Sequence, residues 1–265
     1  MKRFIVALIL SLPLFSMAFS QPDSTRLVHL SLQGGFAYGL YRDQGASPLT
    51  YRGLELCPGI GVKVQNSSWR IEAAISMQGG AYGLALRIKA LQAYGGQGVL
   101  GTTVLRRVSL APAWHIWLGG GISDCFDIRY NSQLGNASVG YSNFTTLSTV
   151  AEIEWQPSHW RLFGQLAIDP LSLMFRPGFA YMDNYDHNIG DPNGDTFAQY
   201  RFYMAYGTGF STRLGVEWML RNGNAVGLTY HWHFLTSRTS ADGITAPHCF
   251  EQASHAAMFH LLFRL

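Results

Sequence analysis

Apolar and polar residues alternate in short segments along most of the chain. In 69–81, for example, Trp69 and Ile71 share one parity while Arg70 and Glu72 take the other. A period of two is typical of a β-strand with one apolar and one polar face. Ten segments show the pattern, and we predict a strand in each of them: 26–40, 52–65, 69–81, 96–109, 113–130, 144–156, 160–169, 203–220, 225–236 and 254–265.

The connections between these segments alternate between two length classes. The short ones are 66–68, 110–112, 156–159 and 221–224. The long ones are about 41–51, 82–95, 131–143, 170–202 and 237–253. A ten-stranded membrane barrel with both ends on one side needs four short turns there and five loops opposite. The pattern predicts an all-β fold, a transmembrane antiparallel up-and-down β-barrel of about 10 strands, with 8 or 12 as alternatives.

Five of the seven tryptophans support this interpretation because they lie beside the short connections, on the apolar parity. They are Trp69, Trp114, Trp155, Trp160 and Trp218. Indole is enriched where lipid meets water, so we expect one ring at the periplasmic end. The final segment, 255–265, is expected to close the barrel, with Phe259 and Phe263 facing lipid and His260 and Arg264 facing the lumen.

The first twenty residues have the pattern of a cleaved signal peptide. Lys2 and Arg3 precede a short apolar run, and Ala18-Phe19-Ser20 fits a cleavage site. We therefore divide the chain into a signal peptide, 1–20, and a barrel domain, 21–265. Only 13% of residues are charged, against roughly 25% in soluble domains. We expect export to the outer membrane of a Gram-negative bacterium, surrounded by outer-membrane lipid.

Removing Lys2 and Arg3 leaves seventeen basic and sixteen acidic residues, a net charge near +1. This balance gives no electrostatic reason to expect a nucleic-acid partner.

Three sequence features together carry a family resemblance. They are a signal peptide ending before Gln21, a terminal Phe263-Arg264-Leu265, and the stretch 170–181, PLSLMFRPGFAY. On these features the chain resembles small outer-membrane β-barrel proteins of the Bacteroidetes type. The resemblance implies the same barrel over the whole chain and names no ligand. The chain departs from it in ending on Leu265 rather than on an aromatic residue, and Phe263 is expected to serve in its place.

Charged residues on the inward parity concentrate near the short turns. They are Lys63, Arg70, Glu72, Arg107, Glu152, Glu154, Arg161, Arg213 and Glu217. Their mixed signs predict ion pairs that fill a narrow lumen, because polar groups at this depth cannot face lipid. This lumen cluster favours a structural plug, with a narrow channel for small polar solutes as the alternative.

A second polar set is predicted at the outer rim, where His231 and His233 share a strand face and Glu251 lies in the final loop. A histidine that activates a serine there would suit a lipid-modifying hydrolase. The His-x-Ser-Asn run of the outer-membrane lipid A deacylases is absent, since 233–237 reads HFLTS. We therefore predict no catalytic site.

The longest loop contains a spacing that matches the first three ligands of a calcium loop. These residues are Asp191, Asn193 and Asp195. The glutamate expected at the twelfth place is missing, since Phe202 stands there, and turn chemistry explains the motif. We predict no metal and no cofactor. The three cysteines, Cys57, Cys125 and Cys249, allow one disulfide whose pairing the sequence does not select.

These observations predict a non-enzymatic outer-membrane barrel. We expect a structural or accessory protein, or a subunit of an envelope complex with an envelope protein as partner, that presents extracellular loops.

Overall fold

The computed structural model describes residues 27–43, 47–84, 92–111, 113–131, 139–177, 200–239 and 248–265. The strands are β1 (Leu27–Asp43), β2 (Ser47–Leu56), β3 (Gly59–Gln65), β4 (Trp69–Leu84), β5 (Gln92–Ala111), β6 (Trp114–Tyr130), β7 (Val139–Trp155), β8 (Trp160–Pro177), β9 (Tyr200–Met219), β10 (Ala225–Thr239) and β11 (His248–Arg264). Within these ranges no helix is long and apolar enough to cross a membrane.

The strands form one closed antiparallel sheet. β11 pairs with β1 from His29↔Arg264 to Asp43↔Phe250, which joins the two ends of the sheet. β2 and β3 both pair with β1 on one side and β4 on the other. They therefore act as one strand of the wall, and the barrel has ten strands. The predicted fold and strand number are confirmed.

The break between β2 and β3 is caused by Pro58. The Cys57 amide donates to the Gly35 carbonyl at 3.0 Å, and the Met77 amide donates to the Pro58 carbonyl at 2.8 Å. Such a pair would normally exchange two hydrogen bonds, but proline has no N–H to return. The ladder loses one bond there while its register continues unchanged.

The predicted alternation separates the two faces of the wall. Large apolar side chains on the outside are exposed by more than a third, and the exposed fraction reaches 66% for Phe36, 63% for Met77 and 60% for Leu228. An apolar surface that surrounds the whole barrel suits a lipid environment rather than water.

The tryptophan ring is present at the end that carries the short turns. Trp114 pairs in register with Trp155, and their rings stack 6.0 Å apart. Trp160 pairs with Trp218, edge to face at 4.4 Å. All five predicted tryptophans are partly exposed, between 36% and 46%. They mark one lipid–water boundary.

The predicted bounds of the long loops were wrong, because the strands extend further at that end. β1 continues to Asp43 and β2 begins at Ser47, so most of 41–51 is strand. β8 likewise continues to Pro177, into the predicted 170–202 loop. A strand of seventeen residues that rises about 3.3 Å per residue and is tilted by about 40° extends roughly 43 Å along the barrel axis. The apolar band is only about 25 Å tall. Above the lipid the outer face no longer needs apolar side chains, so the alternation used for prediction stops there.

Candidate functional site

The interior near the short turns contains an ion-pair network that crosses the lumen. Arg70, on β4, is 1% exposed. Its Nη1 donates to Oε1 of Glu152 at 2.6 Å, and its Nη2 donates to Oε1 of Glu154 at 2.5 Å. Both glutamates lie on β7, three strands away around the wall. Arg70 therefore bridges the interior instead of lying along its own strand.

A second arginine binds the same two carboxylates. Arg161, on β8, donates through Nη2 to Glu152 at 3.0 Å and also to Glu154. Its Nη1 donates to Oε2 of Glu217 at 2.7 Å. Arg70 and Arg161 together neutralise carboxylates that would otherwise be buried without a partner, which is costly.

The outer members of the network make longer contacts. Lys63 lies 3.8 Å from Glu72, and Arg213 lies 3.5 Å from Glu72 and 3.8 Å from Glu152. We call the whole set the lower network: Lys63, Arg70, Glu72, Glu152, Glu154, Arg161, Arg213 and Glu217. Four cations and four anions give it no net charge. It contains eight of the nine residues predicted for the lumen cluster.

The ninth predicted residue, Arg107, lies apart from the lower network. Its Nη2 is 2.7 Å from Nδ1 of His115, a neighbour across β5 and β6. The chain therefore places Arg107 at the lumen without joining it to the glutamates.

Sequence reasoning missed two members of this site. Trp117 is fully buried; its indole N–H donates to Oε2 of Glu154 at 2.8 Å, and the Arg70 guanidinium lies 4.0 Å from its ring. His260, which was expected only to face the lumen, has Nε2 3.0 Å from Oε1 of Glu217. The signal for Trp117 was its odd number in β6, where the lipid-facing residues are even.

A separate group of aromatic and polar side chains fills the lumen nearer the long loops. The Arg129 guanidinium lies 3.7 Å from the Tyr41 ring centre and within 6 Å of Tyr82 and Phe250. It also makes two hydrogen bonds to Asp127, at 2.7 and 2.6 Å. We call these five residues the upper layer.

Two glutamines tie the upper layer across the barrel. The side-chain amide of Gln97 donates to Asp127 at 2.6 Å and to Gln252 at 2.7 Å. Arg129 approaches the same Gln252 oxygen at 3.3 Å. Since these residues come from β5, β6 and β11, the contacts span the lumen.

A small cavity adjoins the lower network. Its volume is about 130 Å³, and its lining includes Lys63, Glu72, Phe163, Arg213, Thr229 and His260. Ligand pockets for small molecules usually measure about 300–1,000 Å³. The cavity is therefore too small for such a ligand.

The predicted rim residues are not assembled into one site. His231 and His233 take the inward parity of β10, with ring centres 6.3 Å apart. Glu251 takes the parity of the exposed Phe259 on β11, and its carboxylate binds Arg42 at 2.6 Å. The wall of the barrel separates the histidines from the glutamate.

The remaining predicted sites have no described geometry. Asp191, Asn193 and Asp195 lie outside the described residues. The cysteines whose side chains are described, Cys57 and Cys125, are free thiols. In the part of the chain that the structure describes, no three metal-binding side chains converge.

No protein-family model and no curated protein matches the chain. Solved structures do match. The outer membrane protease OmpT from Escherichia coli superposes with a TM-score of 0.61 and 9% identity, covering 94% of this chain and 100% of that chain. The fold is that of an outer-membrane β-barrel. The translocator domain of the autotransporter NalP from Neisseria meningitidis gives a TM-score of 0.46 and 10% identity, covering 100% of this chain and 98% of that chain.

At such low identity, the similarity of this barrel to solved structures shows the fold alone. The Bacteroidetes type stays a prediction, because the matching structures carry no information on it.

Proposed function

We propose that this protein is a non-conducting, non-enzymatic outer-membrane barrel of a Gram-negative bacterium, with a structural or accessory role. The observation that carries the proposal is that side chains occupy the lumen at two levels, the lower network and the upper layer. The outer ends of the strands and their loops are then the parts left to contact an envelope partner.

The lower network supports a closed lumen on energetic grounds. A permeating ion or solute would have to separate Arg70 and Arg161 from Glu152 and Glu154, all of which are less than 10% exposed. Breaking one buried ion pair costs roughly 3–5 kcal/mol. Several pairs share these groups, so they would have to separate together.

The outer face supports the proposed location. It combines an apolar band with tryptophans at one edge, as expected for a barrel in lipid. Residues 1–20, outside the described range, supply the predicted export signal. Fractionation of cells should recover the barrel domain, without residues 1–20, in the outer membrane; recovery in the soluble periplasm would exclude this location.

Conductance of the purified protein in planar bilayers tests the closed lumen. We expect no channel events from the wild type. Variants that open one level only, Arg129→Ala or the pair Arg70→Ala and Glu152→Ala, should also stay silent, because the other level still fills the lumen. The variant that combines all three changes should conduct.

Arg106→Ala is the matched control, because Arg106 lies on the outer face with its guanidinium 5.8 Å from the Trp69 ring. It should be silent like the wild type. Reproducible wild-type conductance would overturn the proposal.

A narrow channel is the second candidate, and the cavity beside Arg213 favours it. The side chain of Arg213 is 31% exposed, and its Nε has no hydrogen-bond partner among the described residues. A channel that used this cation would prefer anions. Wild-type conductance whose ion preference reverses in Arg213→Glu would support the channel.

A further inference from the structure

Above the apolar band, the described side chains of the outer face include arginines in one sector, formed by β1 and β2. Arg42 on β1 and Arg52 on β2 have the parity of the lipid-facing Phe36 and Leu54 on the same strands. In the register Arg42 lies opposite Thr50, next to Arg52, which lies opposite Leu40. Two cations are therefore side by side on the outside of the barrel.

The two arginines lie above the apolar band. Each residue rises roughly 2.5 Å along the axis at a strand tilt of about 40°. Arg52 is about 13 residues beyond Gln65, which is at the turn next to Trp69. This places it roughly 32 Å above the tryptophan ring, against an apolar band of about 25 Å. The arginines thus reach the layer of lipid headgroups.

The rest of the outer face at this level is uncharged where side chains are described. The exposed residues there include Tyr94 on β5, Ile128 and Tyr130 on β6, Leu173 on β8, and Met204 and Tyr206 on β9. The charged Asp124 on β6 lies lower, where its carboxylate accepts hydrogen bonds from Thr145 and Asn143. A uniform attraction to headgroups would spread cations around the barrel, so the single sector indicates a specific contact.

The local chemistry fits a phosphate. Glu251 holds Arg42 through a 2.6 Å ion pair, which fixes that guanidinium against the wall. Arg52 is exposed and has no ion-pair partner among the described residues. Guanidinium groups bind phosphate oxygens through paired hydrogen bonds. Below them, Phe36 and Leu54 are 66% and 69% exposed, which offers an apolar surface to acyl chains.

We propose that the arginine sector, Arg42 and Arg52 with Glu251, binds the phosphate of a phosphorylated glycolipid in the outer leaflet. The acyl chains lie below, along Phe36 and Leu54. This inference rests on the proposed outer-membrane location and adds a ligand class to it.

Native mass spectrometry of the full barrel, released from detergent with added lipid, tests the inference. The probes are diphosphoryl lipid A, the same lipid without its phosphates, and inorganic phosphate. Wild type should retain the diphosphoryl lipid and neither of the others. The double variant Arg42→Ala and Arg52→Ala should retain it at least about tenfold less, since each arginine near a phosphate contributes about fivefold.

The matched control removes two exposed arginines at the other end of the barrel, Arg106→Ala with Arg221→Ala. It should bind like the wild type. Equal loss in the control, no loss in the double variant, or equal retention of the dephosphorylated lipid would each overturn the lipid site. Retention of inorganic phosphate alone would indicate a simple anion site and also overturn it.

These outcomes are separate from the proposed location. A protein found in the outer membrane that fails the lipid test loses only this inference. A protein absent from the outer membrane loses the proposed function as well.

Discussion

Arg70 shows how single residues close this lumen. Its guanidinium contacts Glu152 and Glu154 and stacks on Trp117, so all its polar atoms and one flat face are used inside the barrel. The aliphatic part of the Arg70 side chain therefore crosses a part of the lumen that has little room for water. A charge at this depth is tolerated only with such partners, since lipid offers none.

Replacing Arg70 with methionine should strongly destabilise the barrel. The substitution keeps much of the side-chain volume but leaves Glu152 and Glu154 with Arg161 as their main cation. Removing one partner of a buried ion pair costs roughly 3–5 kcal/mol. Urea unfolding in lipid vesicles measures the loss. The control Arg106→Met, on the outer face, should lose less than about 1 kcal/mol; equal losses in the two variants would contradict the proposed role of the network.

At this scale, parity predicted which charged residues face inward but not how they pair. Trp117 was missed because tryptophan was expected at the lipid boundary, although its odd number in β6 already placed it inside. Arg107 was grouped with the glutamates, yet it contacts His115. Pairing depends on how β4, β7, β8 and β9 are arranged around the closed wall, and no single strand's pattern contains that information.

At the scale of the strands, irregularities shape β8 and β9. Their register shifts between Asp169 and Leu171, and Gly207 on the facing strand has φ of 60°. Inside the bend, hydroxyl groups meet: Ser172 lies 2.9 Å from Thr146 and 2.7 Å from Thr208. The extra residue lets β9 bend while its polar groups stay bonded.

Substituting Gly207 tests this bulge. Gly207→Ala should destabilise the barrel by about 1 kcal/mol, because a residue with a Cβ is strained at positive φ. No atom lies within 4 Å of the added Cβ, so the cost is conformational rather than steric. Gly98 is also free of contacts but has ordinary φ, so Gly98→Ala should be neutral or stabilise by up to about 0.5 kcal/mol. A comparison of the two unfolding curves decides, and equal effects would remove the bulge explanation.

The strand bounds show where sequence patterns stop being informative. From residue 27 to about 40 the outside of β1 is apolar and the pattern is clear. At Tyr41 and Arg42 the aromatic residue points inward and the cation outward, the reverse of the rule that holds in lipid. For the same reason Tyr51 and Tyr82 were assigned to loops, although both pack with Tyr41. Alternation reports the solvent on the outer face, so it located the membrane-spanning part but not the strand ends.

For the whole molecule, the number of strands and their direction followed from the sequence because short turns and long loops alternate. Closure was confirmed by the pairing of β1 with β11. Of the two sets of side chains that fill the lumen, only the lower network was predicted. The lower network used charged residues inside predicted strands, whereas the upper layer uses Tyr82 and Phe250 from segments assigned to loops. The sequence pattern therefore predicted the barrel and the lower network, but not the upper layer that also fills the lumen.

The depth of the barrel in the bilayer is testable through two tryptophans. Trp114 belongs to the ring at the short turns, whereas Trp232 lies higher on β10, edge to face with Phe210 at 4.6 Å. Trp232 is six residues beyond Val226, the register partner of Trp218, which puts it roughly 15 Å above the ring and closer to the bilayer centre than Trp114. A variant that keeps only Trp232, with the other tryptophans changed to phenylalanine, should therefore be quenched most by lipids brominated deep in the acyl chain. The matching Trp114-only variant should be quenched most by lipids brominated near the headgroup. If the two variants showed the same depth profile, the tryptophan ring would not mark the membrane boundary, and the arginine sector would no longer be placed at the headgroups.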